Sequence, residues 1–235
     1  MSFLVAIPVY NEQEHVNLVI SEITCCVRDI LVVDDGSTDR TPRILRILQD
    51  HVRGLRVLRH PTNEGYGKSL TDAFEYAVRN EFEYLITLDC DEQHDPADIL
   101  EFVLAVGRHD IVSGSRYHPE SRCEGLPPPE ERRRLGREIV SRVNEVTGFG
   151  LTDAFCGFKA YYVDSLRKLH LDETGYGMPI QLWMQAWKAG LRVVEKPVAL
   201  KYLDSQRTFG GTLDHADVRR RYYQSIIERE LAATR

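Results

Sequence analysis

Asp89-Cys90-Asp91 sets two carboxylates two residues apart, directly after the apolar run Tyr84-Leu85-Ile86-Thr87-Leu88. Alternate residues of an extended segment point the same way, so both acids can face one cation. Oxygen ligands of this kind suit Mg2+ or Mn2+ held jointly with substrate phosphates. Gln93 stands two residues further on and offers an amide oxygen, whereas the imidazole of His94 matches a hard ion poorly. The plainer use of such a triplet is a turn or a helix start, and the apolar strand in front of it favours the metal. Asp34-Asp35-Gly36-Ser37-Thr38-Asp39 also follows an apolar run. Thr38 or Asp39 there can cap the next helix, but two acids at the strand end exceed what a cap needs. A carboxylate in that position can accept from a base N–H or a ribose hydroxyl. In Pro8-Val9-Tyr10-Asn11-Glu12, Tyr10 is placed either to stack on a base or simply to end a strand.

These clusters need a scaffold that aims strand ends at one place, and the rest of the chain provides one. Apolar runs at 3–9, 30–33, 55–58, 84–88 and 111–113 alternate with helically spaced stretches at 12–25, 38–49, 69–78 and 96–106. That alternation, with short connections, predicts an α/β fold with a mostly parallel, Rossmann-like sheet flanked by helices. In such sheets ligands bind beyond the carboxyl ends of the strands, where all three polar clusters fall. The second half is less regular. Residues 119–129 are rich in proline, charge and glycine and read as an exposed, mobile loop. Residues 130–146 read as a helix, 152–163 as irregular or extended, 180–189 as a helix and 192–202 as extended. Asp214 is placed to cap a last helix running to Leu231. With no repeat and no linker, residues 1–235 read as one domain: 1–117 as the nucleotide half, 118–235 as the acceptor half.

With 235 residues the chain can bury a substantial core. A formal charge of −6 argues against a general nucleic-acid binder. Five cysteines without zinc spacing, Cys25, Cys26, Cys90, Cys123 and Cys156, suit free thiols in a reducing, cytoplasmic setting. The first residues read as a strand and not as a signal peptide, and no run approaches the roughly 18 apolar residues of a membrane span. The expectation is a cytoplasmic protein that can still sit on a membrane surface. Its oligomeric state is open. Arginines cluster at 132–134 with Arg137, and again at 219–221. Guanidinium forks match phosphate oxygens; the second cluster reads better as a solvated helix face.

Pro8-Val9-Tyr10-Asn11-Glu12, Val33-Asp34-Asp35-Gly36-Ser37, Asp89-x-Asp91-x-Gln93-His94-x-Pro96 and Gly114-Ser115-Arg116-Tyr117 occur in one order. Together they resemble the inverting family 2 glycosyltransferases of the GT-A fold, and most of all their dolichyl-phosphate mannose synthase branch, over residues 3–210. The resemblance implies that Pro8, Tyr10, Glu12, Val33 and Asp35 hold the nucleoside. It implies that Asp89, Cys90 and Asp91 hold the diphosphate through Mn2+ or Mg2+, with Gln93 as a further ligand. Arg116 would face the phosphates, Arg137 and Ser141 would match an arginine and a serine of the acceptor helix, and Asp153 the acid of the acceptor segment. Ser141 and Arg137 are equally readable as an ordinary i, i+4 helix pair, and Asp153 as an acid that holds its irregular segment in place. Two departures stand out: Arg207 is followed by Leu213 where the branch carries a lysine, and Met178 to Trp183 lacks an acid often found there.

The implied reaction moves a hexose from a nucleotide-diphospho-sugar, GDP-mannose or UDP-glucose in type, to an acceptor. A hydroxyl acceptor needs a general base, for which Asp153 is the candidate. A polyprenyl phosphate is already ionised and needs arginines instead, which favours it here; a soluble hydroxyl acceptor is the alternative. A sugar-1-phosphate nucleotidyltransferase would want a glycine- and arginine-containing loop after the first strand. A dehydrogenase would want Gly-x-Gly-x-x-Gly, and Gly65-Tyr66-Gly67-Lys68 is too short for a phosphate loop. A nucleotide-sugar-binding module without turnover would not need Asp89, Asp91 and Asp153 together.

Overall fold

The computed structural model describes residues 2–125, 128–202 and 211–233. The first half follows the expected alternation. Strands β1 (Phe3–Val9), β2 (Ile30–Asp34), β3 (Leu55–Arg59), β4 (Tyr84–Thr87) and β5 (Ile111–Ser115) are separated by helices α1 (Val16–Ile23), α2 (Thr41–His51), α3 (Tyr66–Arg79) and α4 (Ile99–Val106). The second half carries β6 (Cys123–Gly125), α5 (Glu130–Thr147), β7 (Lys159–Tyr162), α6 (Val163–Leu166), α7 (Met178–Lys188), β8 (Val193–Pro197), β9 (Leu200–Tyr202) and α8 (Ala216–Ala232).

Among the described residues seven strands form one sheet in the order β3-β2-β1-β4-β7-β5-β8. All pairings are parallel except those of β7, which runs antiparallel between β4 and β5. Side-chain parity divides the core between the faces. Leu4, Ala6, Leu31 and Val33 pack with α3, α5, α7 and α8. Val5, Ile7, Ile30 and Val32 pack with α1, α2 and α4. Order reverses at β1, which has β2 on one side and β4 on the other, and a crevice opens at such a point.

The antiparallel strand positions the site. A strand running backwards begins at the edge where its parallel neighbours end. The segment 151–158 leading into β7 therefore arrives beside the C-terminal ends of β4 and β5. Thr87 Oγ1 donates to the Gly157 carbonyl at 2.8 Å, and Gly114 N to the Phe158 carbonyl at 2.8 Å. From below, the indole N–H of the fully buried Trp183 on α7 donates to the Ala154 carbonyl at 2.9 Å. Removing a core tryptophan of this kind costs about 3–5 kcal/mol, so the segment beside the site rests on a strong support.

Four sequence expectations need correction. The segment 119–129 is not wholly loop: β6 pairs in parallel with β9 as a second, two-stranded sheet, and residues 126 and 127 lie outside the described set. Helix α1 starts at Val16, because Glu12 to His15 form a turn first. Asp214 does not cap the last helix: it ends a short 3-10 turn, and α8 starts at Ala216 without a side-chain cap. The chain bends at Cys90 to Glu92, so Asp91 does not continue β4 in extended form.

Candidate active site

A cleft of about 540 Å3 opens over the C-terminal edge of the sheet, and nearly all the candidate residues line it. At one end stand Pro8, near the end of β1, and Tyr10, Glu12 and Asp35, which follow β1 and β2. Asn11 adopts φ 57°, a left-handed conformation that asparagine tolerates. Its side-chain oxygen accepts from the amides of Thr38 at 2.8 Å and Asp39 at 3.3 Å, and its own amide donates to Ser37 Oγ at 2.9 Å. The two strand ends are thereby stapled together, with half-exposed Tyr10 standing in the cleft.

The neighbouring acids Asp34 and Asp35 separate into two jobs. Asp34 accepts from Ser37 N at 2.9 Å and stands 3.5 Å from Arg59 Nε, holding the turn. Asp35 reaches the cleft while accepting from Glu64 N, Gly65 N and His60 Nδ1 at 2.7, 2.9 and 2.7 Å. Val33 is fully buried in the core shared with α3 and is not among the residues that line the cleft.

Asp89, Cys90, Asp91 and Gln93 line the middle of the cleft. Tyr66, at the start of α3, donates its hydroxyl to Asp89 Oδ1 at 3.0 Å, and burial, reinforced by Asp89, raises its pKa well above the ordinary tyrosine value. Asp89 also presses on Gly157: a Cβ there would lie 2.1 Å from Asp89 Oδ2. Asp91 Oδ1 accepts from Gln93 N at 3.2 Å. Among the described residues no three His, Cys, Asp or Glu side chains form a cluster that could hold a metal by itself. Two carboxylates and an amide oxygen on a wall open to ligand still fit a hard divalent ion, because such an ion completes its shell with substrate phosphates and water. His94 Nε2 lies 3.7 Å from Asp89 Oδ2, behind it.

The far end is built from different material. Arg116 and Asp153 form a two-pronged pair, Nε to Oδ2 at 2.6 Å and Nη2 to Oδ1 at 3.1 Å. Asp153 also accepts from the amides of Arg116 and Phe155. Burial pushes its pKa up, but the Arg116 guanidinium outweighs this and holds it below the usual carboxylate value. Arg116 is likewise opposed by burial, and the Asp153 charge lifts its pKa well above normal. Behind them Glu195 on β8 accepts from Thr152 N, Thr152 Oγ1 and Asp153 N at 2.7, 2.7 and 2.9 Å.

Arg132, Arg133 and Arg137 of α5 line this end, and Arg219 of α8 joins them. Arg219 corrects the reading of the second arginine cluster as a solvated face. It is buried and donates to the Leu213 carbonyl at 2.8 Å. Burial, then the nearby Arg132, lowers its pKa. Arg220, by contrast, pairs with Glu138 and Asp217. Arg133 and Arg137 share Glu130. Apolar surface from Leu135, Val140, Phe155, Leu200 and Tyr223 continues the wall. Ser141 is not brought in: it lies on the flank of α5 beside Gln224 and Glu228 of α8. Arg207 lies outside the described residues. All five cysteines are free thiols.

His60, Tyr66, Glu195 and Arg219 are the functional candidates that sequence reasoning missed. Gly65-Tyr66-Gly67 at a helix start was a usable signal for Tyr66. Nothing local marks His60 and Glu195, whose partners lie 12 to 43 residues away, and the cluster at 219–221 does not show that Arg219 is the one turned into the cleft.

Comparisons with known proteins bear on the family and the fold. The model of Glycosyl transferase family 2 matches residues 4–169, more than half of the chain. An undecaprenyl-phosphate mannosyltransferase of Micrococcus luteus is 29% identical over 93% of this chain and 92% of its own. A polyprenol monophosphomannose synthase of Mycolicibacterium smegmatis is 32% identical over 83% of this chain and 76% of its own. Among solved structures, glucosyl-3-phosphoglycerate synthase of Mycobacterium tuberculosis in complex with Mn2+, UDP and glucosyl-3-phosphoglycerate aligns with a TM-score of 0.73. It covers 97% of this chain and 79% of its own at 18% identity, a likeness of fold alone.

Proposed function

The chain belongs to glycosyl transferase family 2 and is a glycosyltransferase of the GT-A fold, and on that premise we propose that it transfers a hexose, with inversion, from a nucleotide-diphospho-sugar to a polyprenyl phosphate. The observation that carries the acceptor reading is the arginine-rich, apolar-walled end of a cleft whose other end is acidic. The names of the two curated relatives, one an undecaprenyl-phosphate mannosyltransferase and the other a polyprenol monophosphomannose synthase, support it.

In this reading Tyr10 and Asp35 hold the base and ribose of a GDP-mannose or UDP-glucose type donor, with Pro8 and Glu12 beside them. Asp89, Asp91 and Gln93 hold Mn2+ or Mg2+ when it is bound, and the ion supplies Lewis-acid stabilisation to the departing diphosphate. The bond from the anomeric carbon to the diphosphate oxygen breaks and its electron pair leaves with the nucleotide. An acceptor phosphate oxygen bonds to the opposite face of the same carbon.

That nucleophile is ionised at neutral pH and requires no base. Asp153, bound by four donors and held below the usual pKa, is a poor base. Its role is to hold Arg116. Arg132, Arg137 and Arg219 hold the acceptor phosphate while Leu135, Val140, Phe155 and Tyr223 contact the lipid. Arg219, folded over the backbone of Leu213, supplies charge where the mannose synthase branch has a lysine.

No helix among the described residues is long and apolar enough to cross a membrane, and the enzyme meets its lipid from the surface of the bilayer. The test offers the enzyme, Mn2+ and a nucleotide-hexose an equal mixture of a short-chain polyprenyl phosphate and the corresponding polyprenol. Sugar on the phosphate alone is expected. Sugar on the hydroxyl, lost in Asp153→Asn, assigns Asp153 the base role and removes the phosphate acceptor.

A further inference from the structure

His60 follows β3, is 5% exposed, and stands between two carboxylates from different elements. Its Nδ1 is 2.7 Å from Asp35 Oδ1 at the end of β2, and its Nε2 is 2.8 Å from Asp72 Oδ2 on α3. Ionised carboxylates only accept, and a neutral imidazole has a single N–H. Both contacts are hydrogen bonds only if the ring carries both protons.

Asp35 does more than meet His60. Its oxygens also accept the amides of Glu64 and Gly65. Gly65 has φ 110°, and a Cβ on it would lie 2.3 Å from the Thr174 carbonyl, so this loop has one tight seat. The next residue, Tyr66, bonds Asp89. A continuous set of contacts thus runs from Asp72 through His60 and Asp35 to the loop, Tyr66 and the Asp89 carboxylate.

We propose that His60 is a positioning residue for the donor: as an imidazolium it fixes the Asp35 carboxylate, and through the Glu64–Tyr66 loop the carboxylate of Asp89, before the nucleotide arrives. The proposal rests on the reading of Asp35 as a nucleoside contact. Of the neighbouring cations, Lys68 pairs with Asp72 on α3, and Arg59, adjacent on β3, bonds the Ser37 carbonyl. Burial pulls the His60 pKa down, but its bonds to Asp35 and Asp72 outweigh that and leave it above the ordinary histidine value. A raised folded pKa means the clamp is complete below about pH 6.5, the unfolded value, and is lost as pH rises through the higher folded value.

The experiment measures the affinity for UDP and for GDP with Mn2+ from about pH 5.5 to about pH 9, across the histidine range, in wild type, His60→Gln and Asp35→Asn. Nitrogen-resolved NMR of the His60 ring runs in parallel. Expected are two protonated ring nitrogens at neutral pH, and a wild-type affinity that falls as the ring titrates. His60→Gln should bind about tenfold or more weakly, a loss on the scale of one charged hydrogen bond, with that pH dependence gone. Binding of a short-chain polyprenyl phosphate should be unchanged. A His60→Gln affinity and pH profile equal to wild type, while Asp35→Asn is impaired, overturns the role of His60 alone. If Asp35→Asn also binds normally, the reading of Asp35 itself fails. If His60→Gln does not fold, a singly protonated His60 ring in the wild type at neutral pH overturns the proposal.

Discussion

At the end of the cleft proposed for the donor, Pro8, Tyr10, Asp35, Asp89 and Asp91 all stand within a few residues of the C-terminal ends of three neighbouring parallel strands. At the end proposed for the acceptor, Arg116 comes from the end of β5, Arg132 and Arg137 from α5, Asp153 from the lead into β7, and Arg219 from α8. One end is acidic and set by strand geometry. The other is basic and set by helix packing over the same sheet. In the proposed function two anions share this cleft, one met by carboxylates that recruit a cation and the other by guanidiniums.

The sharpest way to break that division is Asp91→Ala. Losing a ligand of the divalent ion removes several kcal/mol of leaving-group stabilisation, so kcat/KM should fall by about 10^3-fold or more. Metal-dependent nucleotide affinity should go with it, while melting temperature and lipid-phosphate affinity hold. Asp153→Asn tests the hinge between the ends. Unpairing the buried Arg116 costs about 3–5 kcal/mol, and the melting temperature should drop on the order of 10 °C. Because the folded pKa of Asp153 is depressed, the wild-type contribution is present above about pH 3.9 and is lost as pH falls through the lower folded value. Acid unfolding should therefore show a smaller loss of stability with falling pH in the variant.

Arg219→Ala should raise the KM for polyprenyl phosphate by about 10- to 100-fold, the scale of one charged hydrogen bond, at unchanged nucleotide affinity. An equal effect on both ligands would mean that the ends are not separate. The smallest effect is expected from Tyr66→Phe. One bond to Asp89 is lost, worth about 0.5–1.5 kcal/mol. Metal-dependent nucleotide affinity should fall by a few-fold to about tenfold, and lipid-phosphate affinity should not change.

The same contrast explains what was legible in the sequence. Residues at the ends of β1, β2 and β4 are local: an apolar strand followed by Asp-x-Asp or Asp-Asp-Gly announces itself. Even there, only the resemblance singled out Asp35; the residues by themselves do not say which acid faces the cleft, because that depends on Asp34 turning back to Ser37 N. Val33 entered through the resemblance alone, and its side chain is spent on the core beneath the cleft. The sheet was readable as mostly parallel, but not the reversal of β7, whose four residues carry no mark of direction. Arg219 and Ser141 fail for one reason. Whether a helix residue meets the cleft is decided by how α5 and α8 cross, and helical periodicity says only that each has a buried stripe, not what that stripe faces.

The central claim is that one cleft holds two anions by different means, and calorimetry of each ligand with Mn2+ and with excess chelator tests it most directly. The account predicts that affinity for the nucleotide diphosphate falls at least about tenfold without the ion, while affinity for a short-chain polyprenyl phosphate is the same in both conditions and survives saturation with nucleotide. A lipid phosphate that binds only with the metal, or that is displaced by the nucleotide, would contradict it.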